Sequence, residues 1–170
     1  GGLLLQFPPL GVAVTRRPQA FLDGLARLLE AVAPMAPVFV EIRNRELYVP
    51  GYFGVLRGTG AQHCFSVHPG APPLAEQREL AGAAGEAALM VRWNLRPDRR
   101  YEDARAEFAP FNRLALEDPG TRAAAATLVI EALRDGREAC VIANNKAEGC
   151  APLTLEKLAM EIAAGLAAGA

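Results

Sequence analysis

The sequence predicts an α/β fold in which parallel strands alternate with helical crossovers. Apolar segments of strand length recur along the chain, and segments with helical periodicity lie between them. The strand segments are too apolar for a sheet with one face in water, which is typical of a parallel sheet covered on both faces. We therefore expect one α/β domain over residues 1–170.

Five segments are predicted as strands because they are short, apolar and partly β-branched or aromatic. They are Leu3–Phe7, Val38–Arg43, Gln62–Val67, Ala88–Trp93 and Glu138–Asn144. The arrangement fits both an open doubly wound sheet and an arc of a barrel, and periodicity does not decide between them. In both folds ligands bind beyond the carboxyl ends of the strands, so polar residues there are the candidates for a site.

Helices are predicted where apolar residues recur at helical spacing. The first contains Phe21, Leu25, Leu28 and Val32 and ends before Pro34. The others are predicted over Tyr52–Arg57, Leu74–Ala84, Tyr101–Phe108, Thr121–Arg134 and Leu155–Leu166. Thr154 is the expected N-cap of the last helix, in which Lys157 and Glu161 have favourable spacing.

Composition and charge argue against several classes of protein. Lys and Arg total 18 against 19 Asp and Glu, so the net charge of -1 gives no overall attraction to nucleic acid or to an anionic membrane. No apolar run reaches the roughly 18 residues of a membrane span, and no signal peptide is recognisable. Cys64, Cys140 and Cys150 lack the spacing of a disulfide framework or a cysteine zinc site. We expect a cytoplasmic protein and identify no metal site or cofactor.

The second strand segment carries a carboxylate and a guanidinium near its carboxyl end. Alternation along a strand places Phe39, Glu41 and Arg43 on one face. We expect Glu41 to act as a general acid, a general base or a metal ligand, with Arg43 orienting it or binding an anion. The alternative is a structural ion pair that caps the core.

The fourth strand segment also ends in a cation, Arg92. Arginine is suited to planar two-point recognition of carboxylate or phosphate, so Arg43 and Arg92 fit an anionic ligand. Stacking of Arg92 on Trp93, or an ion pair with Glu41, is the structural alternative. Gln6, late in the first strand segment, is a further candidate for the rim.

The fifth strand segment leads into a polar loop that contains two asparagines, a lysine, an alanine, a glutamate and a glycine over residues 144–149. Asn144 and Asn145 offer hydrogen-bond donors and acceptors, and Lys146 can hold an anion. The loop lacks the glycine spacing of a Walker loop or a dinucleotide-binding fingerprint. The alternative is an Asx-rich turn that satisfies its own backbone.

Two histidines, His63 and His68, flank the third strand segment. We assign neither to the site, because His68 precedes the turn-forming Pro69 and Gly70 and His63 lies near the start of the strand. The sequence has no His pair at helical spacing, no GxSxG and no Ser-His-Asp order. Zinc-protease and serine-hydrolase patterns therefore find no support.

Four of these segments, taken together, are similar to a known family. They are Leu3–Pro9, Val40–Arg43, Val91–Trp93 followed by Tyr101 and Glu102, and the loop over residues 144–149. In this order and spacing they resemble the YecE-like family, a domain of unknown function numbered seventy-two. In the family, the strand with the Glu-x-Arg pattern is commonly followed by a His or Pro and an aromatic residue, whereas here it is followed by residues 44–47, which lack them. We therefore expect the rim beside Glu41 to differ from that of other members.

The resemblance implies a partial TIM-type (β/α) barrel, in which residues 1–170 form about the last five parallel strands with their crossover helices. The N-terminal βα units, and the pocket residues they would carry, are then expected to be absent. A chain that begins inside a strand segment agrees with such a fragment. The family carries no established reaction, so the resemblance leaves the substrate, the cofactor and the oligomeric state open.

These residues together predict a protein that binds a small anionic ligand, such as a sugar phosphate or a carboxylate, at the carboxyl rim of the strands. Glu41 would then supply acid/base chemistry. The expected ligand contacts are Arg43, Arg92, Lys146, Gln6, Asn144 and Asn145. The alternative is a non-catalytic binding or scaffold protein, with local nucleic-acid contacts through Arg96, Arg99 and Arg100.

Overall fold

A five-stranded parallel sheet forms the centre of the computed structural model, which describes residues 2–82 and 87–169. The strands are β1 (Leu3–Gln6), β2 (Val38–Glu41), β3 (Gln62–Val67), β4 (Ala88–Trp93) and β5 (Glu138–Ala143). Their order in the sheet equals their order along the chain, so each crossover joins neighbouring strands. This connectivity is that of a (β/α) barrel and not of a doubly wound sheet, and the sheet is not closed.

Seven helices in the described residues accompany the sheet. They are α1 (Val12–Thr15), α2 (Pro18–Val32), α3 (Pro50–Thr59), α4 (Leu74–Ala81), α5 (Tyr101–Phe108), α6 (Pro119–Arg134) and α7 (Ala151–Ala167). A 3-10 turn over Arg45–Leu47 precedes α3. Proline occupies the first turn of α2, α3, α6 and α7, where its missing N–H has no helical partner to lose.

Several predicted boundaries are wrong. Strands β1, β2 and β5 end earlier than predicted, which leaves Phe7, Arg43 and Asn144 in the loops that follow. Thr154 is not an N-cap, because α7 begins at Ala151 and Thr154 is buried inside its first turns. Helix α4 ends at Ala81, and residue 84 of the predicted helix lies outside the described residues.

The helices cover one face of the sheet with two apolar clusters. One cluster packs α6 and α7 against β3, β4 and β5 around the fully buried Trp93. The other packs α2 and α3 against β2 around Leu29 and Tyr52. On the opposite, concave face Phe39, Cys64 and Met90 form a smaller buried layer. The polar strand ends described below lie on this concave face, one layer nearer the carboxyl ends.

Strands β2 and β3 separate towards their carboxyl ends. The ladder between β2 and β3 ends at the pair Val40 and His63, whereas the ladder between β1 and β2 continues to Glu41. Two tyrosine side chains bind main-chain carbonyls at Val40, where the ladder with β3 ends, and at Ile42, just after β2. The Tyr52 hydroxyl donates to the Val40 carbonyl at 3.1 Å, and the Tyr48 hydroxyl donates to the Ile42 carbonyl at 2.9 Å.

In β3, the main chain of Ser66 is bound in a similar way by the side-chain amide of Gln77. Its Oε1 accepts the Ser66 N–H at 3.0 Å, and its Nε2 donates to the Ser66 carbonyl at 2.8 Å. His63 of β3 connects these helical side chains, since its Nε2 lies 3.1 Å from Gln77 Oε1 in α4 and its Nδ1 lies 3.1 Å from the Tyr52 hydroxyl in α3. Side chains thus replace the missing ladder and satisfy the buried main chain at the gap.

Candidate functional site

The candidate site is built around the carboxylate of Glu41, which is fully buried. Its Oε1 accepts from Arg43 Nε at 2.7 Å, from Ser66 Oγ at 3.0 Å and from Asn94 Nδ2 at 3.2 Å. Its Oε2 accepts from Arg92 Nη1. Three strands or their carboxyl-terminal loops therefore converge on one side chain, because alternation places these residues on the same face.

One carboxylate and two guanidiniums leave this cluster with one more positive than negative charge. The Glu41 side chain is 0% exposed, whereas those of Arg43 and Arg92 are 18% and 22% exposed. The Arg92 Nε is buried and has no hydrogen-bond partner within residues 2–82 and 87–169. A ligand that approaches from solvent therefore meets the guanidiniums and not the carboxylate.

Gln6 lies beside this cluster. It pairs in register with Glu41 across the parallel ladder of β1 and β2, so the two side chains share a face. Gln6 is exposed. The structure thus brings Glu41, Arg43 and Arg92 into direct contact and places Gln6 next to them.

The polar loop after β5 uses much of its hydrogen-bonding capacity on itself. Asn144 Oδ1 accepts the Lys146 N–H at 3.0 Å, and Asn145 Oδ1 accepts the Ala151 N–H at 2.8 Å, at the start of α7. The Lys146 ammonium lies 4.3 Å from the centre of the Tyr101 ring, a cation–π contact. Asn144 is exposed and, two residues after Ile142, continues the concave face of β5.

Glu148 in the same loop anchors the connection between α5 and α6. Its Oε1 accepts from Arg122 Nη2 at 2.5 Å and from the Asp118 N–H at 2.6 Å. Its carbonyl accepts the N–H groups of Ala115 and Leu116. Burial alone would lower the pKa of Arg122, but the Glu148 carboxylate raises it. This buried ion pair has a structural role that the sequence analysis missed.

Two further residues of the rim, Ser66 and Asn94, were also missed, and His68, which we did not assign to the site, has related spacing. The signal that identifies them is alternation, since Ser66 pairs in register with Arg92 and Asn94 follows Arg92 by two positions. His68 follows Ser66 by two positions and is half-buried. The turn that follows it packs on the Arg43 carbonyl, and burial and, next, the charge of Arg43 lower the pKa of His68.

Buried titratable groups behind the site stay uncharged at neutral pH. Burial and the nearby Glu41 raise the pKa values of the Tyr48 hydroxyl and the Cys64 thiol. Burial lowers the pKa of His63 to about 4. Cys64 therefore packs as a small apolar side chain on the concave face and is not an activated thiolate.

A cavity of about 670 Å³ lies elsewhere, near the amino ends of β4 and β5. Its lining includes Arg78, Glu131 and Arg137. Arg78 pairs with Glu131 at 2.7 Å, and Arg137 pairs with Asp135 at 3.1 Å. With Arg134, Glu79 and Asp135, the described lining carries three cations and three carboxylates, so it has no excess of positive charge. The rim around Glu41 is therefore the better candidate for ligand chemistry.

Within residues 2–82 and 87–169, no group of three or more His, Cys, Asp or Glu side chains has an arrangement that could hold a metal ion. In the same part of the chain, no helix has both the length and the apolar character needed to cross a membrane.

A family model described as protein of unknown function DUF72 matches residues 1–168. The chain belongs to the DUF72 family. This finding confirms the resemblance to the YecE-like family. No protein with a curated description matches this DUF72 chain.

Two solved structures share its fold, both of a DUF72 family protein from Enterococcus faecalis V583, at 3.10 Å and 2.52 Å resolution. The first is 15% identical with a TM-score of 0.57, and the alignment covers 95% of this chain and 58% of the solved chain. The second is 16% identical with a TM-score of 0.57, and the alignment covers 97% of this chain and 60% of the solved chain. This DUF72 chain therefore spans about three fifths of the length of those proteins.

Proposed function

We propose that the carboxyl rim of this sheet binds a small anionic ligand, a sugar phosphate or a carboxylate, through the guanidiniums of Arg43 and Arg92. The observation that carries the proposal is a fully buried carboxylate holding two partly exposed arginines side by side. Each guanidinium is fixed before a ligand arrives, so little side-chain entropy is lost on binding. Their planar donors suit the paired oxygens of carboxylate or phosphate.

The remaining contacts in the proposal come from the neighbouring strands. Gln6 and Asn144 are exposed near the carboxyl ends of β1 and β5 and offer amide groups to a ligand. Lys146 adds positive charge from the loop after β5, although its ammonium is engaged by an aromatic ring. Asn145 contributes by shaping this loop, because its amide oxygen is bound to the start of α7.

The role of Glu41 in the proposal is to orient Arg43 and Arg92. Its two oxygens already accept four hydrogen bonds, and none of the side chain is exposed. Acid/base chemistry at Glu41 would require the ligand to displace one of these donors. The free site therefore supports binding more directly than catalysis, and acid/base chemistry stays a prediction.

The alternative of nucleic-acid contact through the loop before α5 has weaker support. Arg96 pairs with Asp98 at 2.9 Å, and Arg99 pairs with Glu107 at 3.7 Å. These ion pairs neutralise much of the positive charge of the loop, which is typical of a solvated surface.

We further propose that residues 1–170 form one domain, the C-terminal portion of an eight-stranded barrel, and that further strands complete the mouth. The similar solved structures are longer than this chain, and β1 and β5 each have one neighbour in the described sheet. A cytoplasmic location is part of the proposal, supported by the free thiols of Cys64, Cys140 and Cys150.

The test is calorimetric titration of the chain with phosphate, sulfate and citrate. Arg92→Ala should weaken binding of the anion by about ten- to one-hundredfold, the range for hydrogen bonds to charged groups. Arg92→Lys keeps the charge but loses the planar fork, and should fall between Arg92→Ala and the wild type.

The matched control is Arg45→Ala, since Arg45 is 59% exposed and paired with Glu76 on the surface. It should bind as the wild type does. The proposal fails if the wild type binds none of the three anions, or if Arg92→Ala retains its melting temperature and binds them with unchanged affinity.

A further inference from the structure

We infer that His68 is a third ligand contact at this rim, where it presents a neutral imidazole N–H to the anion held by Arg43 and Arg92. The inference rests on the proposed function and adds a residue to it. The turn that carries His68 lies directly against the main chain of Arg43, one of the two arginines.

The turn over residues 68–71 is closed by a hydrogen bond from the Ala71 N–H to the His68 carbonyl at 2.9 Å. It packs tightly on the main chain of Arg43, since a Cβ atom at Gly70 would lie 2.2 Å from the Arg43 carbonyl oxygen. Only glycine allows this approach. The loops after β2 and β3 are thereby held together at the mouth, with His68 between Ser66 and the turn.

The hydrogen-bonding state of the His68 ring is set by its own turn. The Gly70 N–H donates to His68 Nδ1 at 3.1 Å, so Nδ1 carries a lone pair. The proton of the neutral ring is then on Nε2, which makes no hydrogen bond to any residue in 2–82 or 87–169. A donor with a fixed orientation is left for a ligand.

A neutral donor suits this position better than a charged one. Burial and, next, the charge of Arg43 lower the pKa of His68, and protonation of Nδ1 would also break its bond with the Gly70 N–H. The neutral N–H adds a hydrogen bond to a ligand oxygen without a further positive charge. Two guanidiniums and one imidazole then offer donors to more oxygens than a simple carboxylate has, which favours a phosphate or phosphate ester.

The experiment compares two substitutions that separate the donor from the contact with Gly70. In His68→Asn the side-chain oxygen is able to accept the Gly70 N–H, but no donor reaches the position of Nε2. In His68→Gln the amide nitrogen reaches that position. Inorganic phosphate, sulfate and acetate are titrated calorimetrically into the chain and both variants at about pH 7.5, where an unperturbed histidine is already neutral.

We expect His68→Asn to bind phosphate and sulfate about fivefold more weakly than the wild type, the loss of one neutral hydrogen bond, and His68→Gln to stay within about twofold. Acetate should bind more weakly than phosphate and should change less in His68→Asn. Melting temperatures close to that of the wild type show that both variants are folded.

Unchanged phosphate affinity in His68→Asn, or equal losses in both variants, would overturn the contact. In that case loss of binding in Arg92→Ala still upholds the arginine site, so the two proposals fail separately. If the wild type binds neither phosphate nor sulfate, the contact through His68 is wrong, and the arginine site is wrong as well if citrate also fails to bind.

Discussion

His63 is the buried residue whose titration should be visible in the stability of the fold. It is 1% exposed, and burial lowers its pKa to about 4 from an ordinary value of 6.5. Between these values the unfolded chain binds a proton that the folded protein does not. Stability should therefore fall as pH falls from about 6.5 to about 4, by on the order of 3 kcal/mol.

The measurement is the free energy of unfolding by urea across this range for the wild type and for His63→Gln. His68, whose pKa is also lowered, contributes a loss of the same sign in both proteins. Subtraction of the two curves isolates His63, whose ring faces Tyr48, Tyr52 and Gln77 and senses Glu41. Parallel curves would show that the ring is protonated equally in the folded and unfolded states.

The charged residues of the rim were predictable because alternation is strict within a strand. Glu41 and Arg43 differ by two positions, and Arg92 ends a clear apolar segment, so all three were expected at one mouth. Ser66, Asn94 and His68 obey the same alternation but carry no formal charge at neutral pH. Ser66 and Asn94 contribute through hydrogen bonds to Glu41, and His68 through a turn that packs on the main chain of Arg43. A single sequence reveals neither kind of contact.

Gln77 in α4 should be the most sensitive position of the gap between β2 and β3. Gln77→Leu removes hydrogen bonds to both main-chain groups of Ser66, to the Pro72 carbonyl and to His63. Because these groups are buried and would be left unsatisfied, we expect a loss of about 2–4 kcal/mol in unfolding free energy. Amide exchange at Ser66 should also become faster.

Gln19→Leu is the matched control for this substitution. Gln19 is an exposed residue of α2 whose amide binds Asp23 at 2.7 Å. Its replacement should change stability by less than about 0.5 kcal/mol. Equal effects at the two positions would show that Gln77 is not needed to hold the edge of β3.

The elements themselves were largely predictable, and their ends were not. All five predicted strands are present because each combines β-branched or aromatic residues with an apolar run. The end of β2 was missed because its ladder with β3 stops at Val40 and its ladder with β1 stops at Glu41, after which the Ile42 carbonyl is bound by the Tyr48 hydroxyl. Thr154 was mistaken for a cap because proline in the first turn extends α7 towards Cys150.

The open sheet should make thermal unfolding of the isolated chain poorly cooperative. Strands β1 and β5 each lack a second neighbour in the described sheet, and Ile142 is 42% exposed on the concave face of β5. We expect a van't Hoff enthalpy clearly below the calorimetric enthalpy. Scanning calorimetry, with sedimentation to establish that the sample is monomeric, provides the measurement. Agreement of the two enthalpies in a monomer would contradict this expectation.

The choice between a barrel arc and a doubly wound sheet required strand order, which periodicity does not contain. The observed order, in which each strand lies next to its neighbour along the chain, decides it. Convergence at the rim then follows from geometry, since neighbouring parallel strands end at the same edge. The identity of the anion does not follow, because oxygens of different ligands present similar acceptors to arginine.

The gap between β2 and β3 affects how substitutions can change the size of the ligand that this rim admits. Where main-chain ladders join strands, their separation is nearly fixed at about 4.8 Å whatever the side chains. Here the Tyr48 and Tyr52 hydroxyls bind carbonyls on the β2 side, Gln77 binds Ser66 on the β3 side, and His63 contacts both Tyr52 and Gln77. The width of the opening therefore depends on the size of individual side chains. Point substitutions at these interior positions can therefore reset the spacing of Glu41 and Ser66, and with it the size of ligand admitted, without touching a residue that binds it.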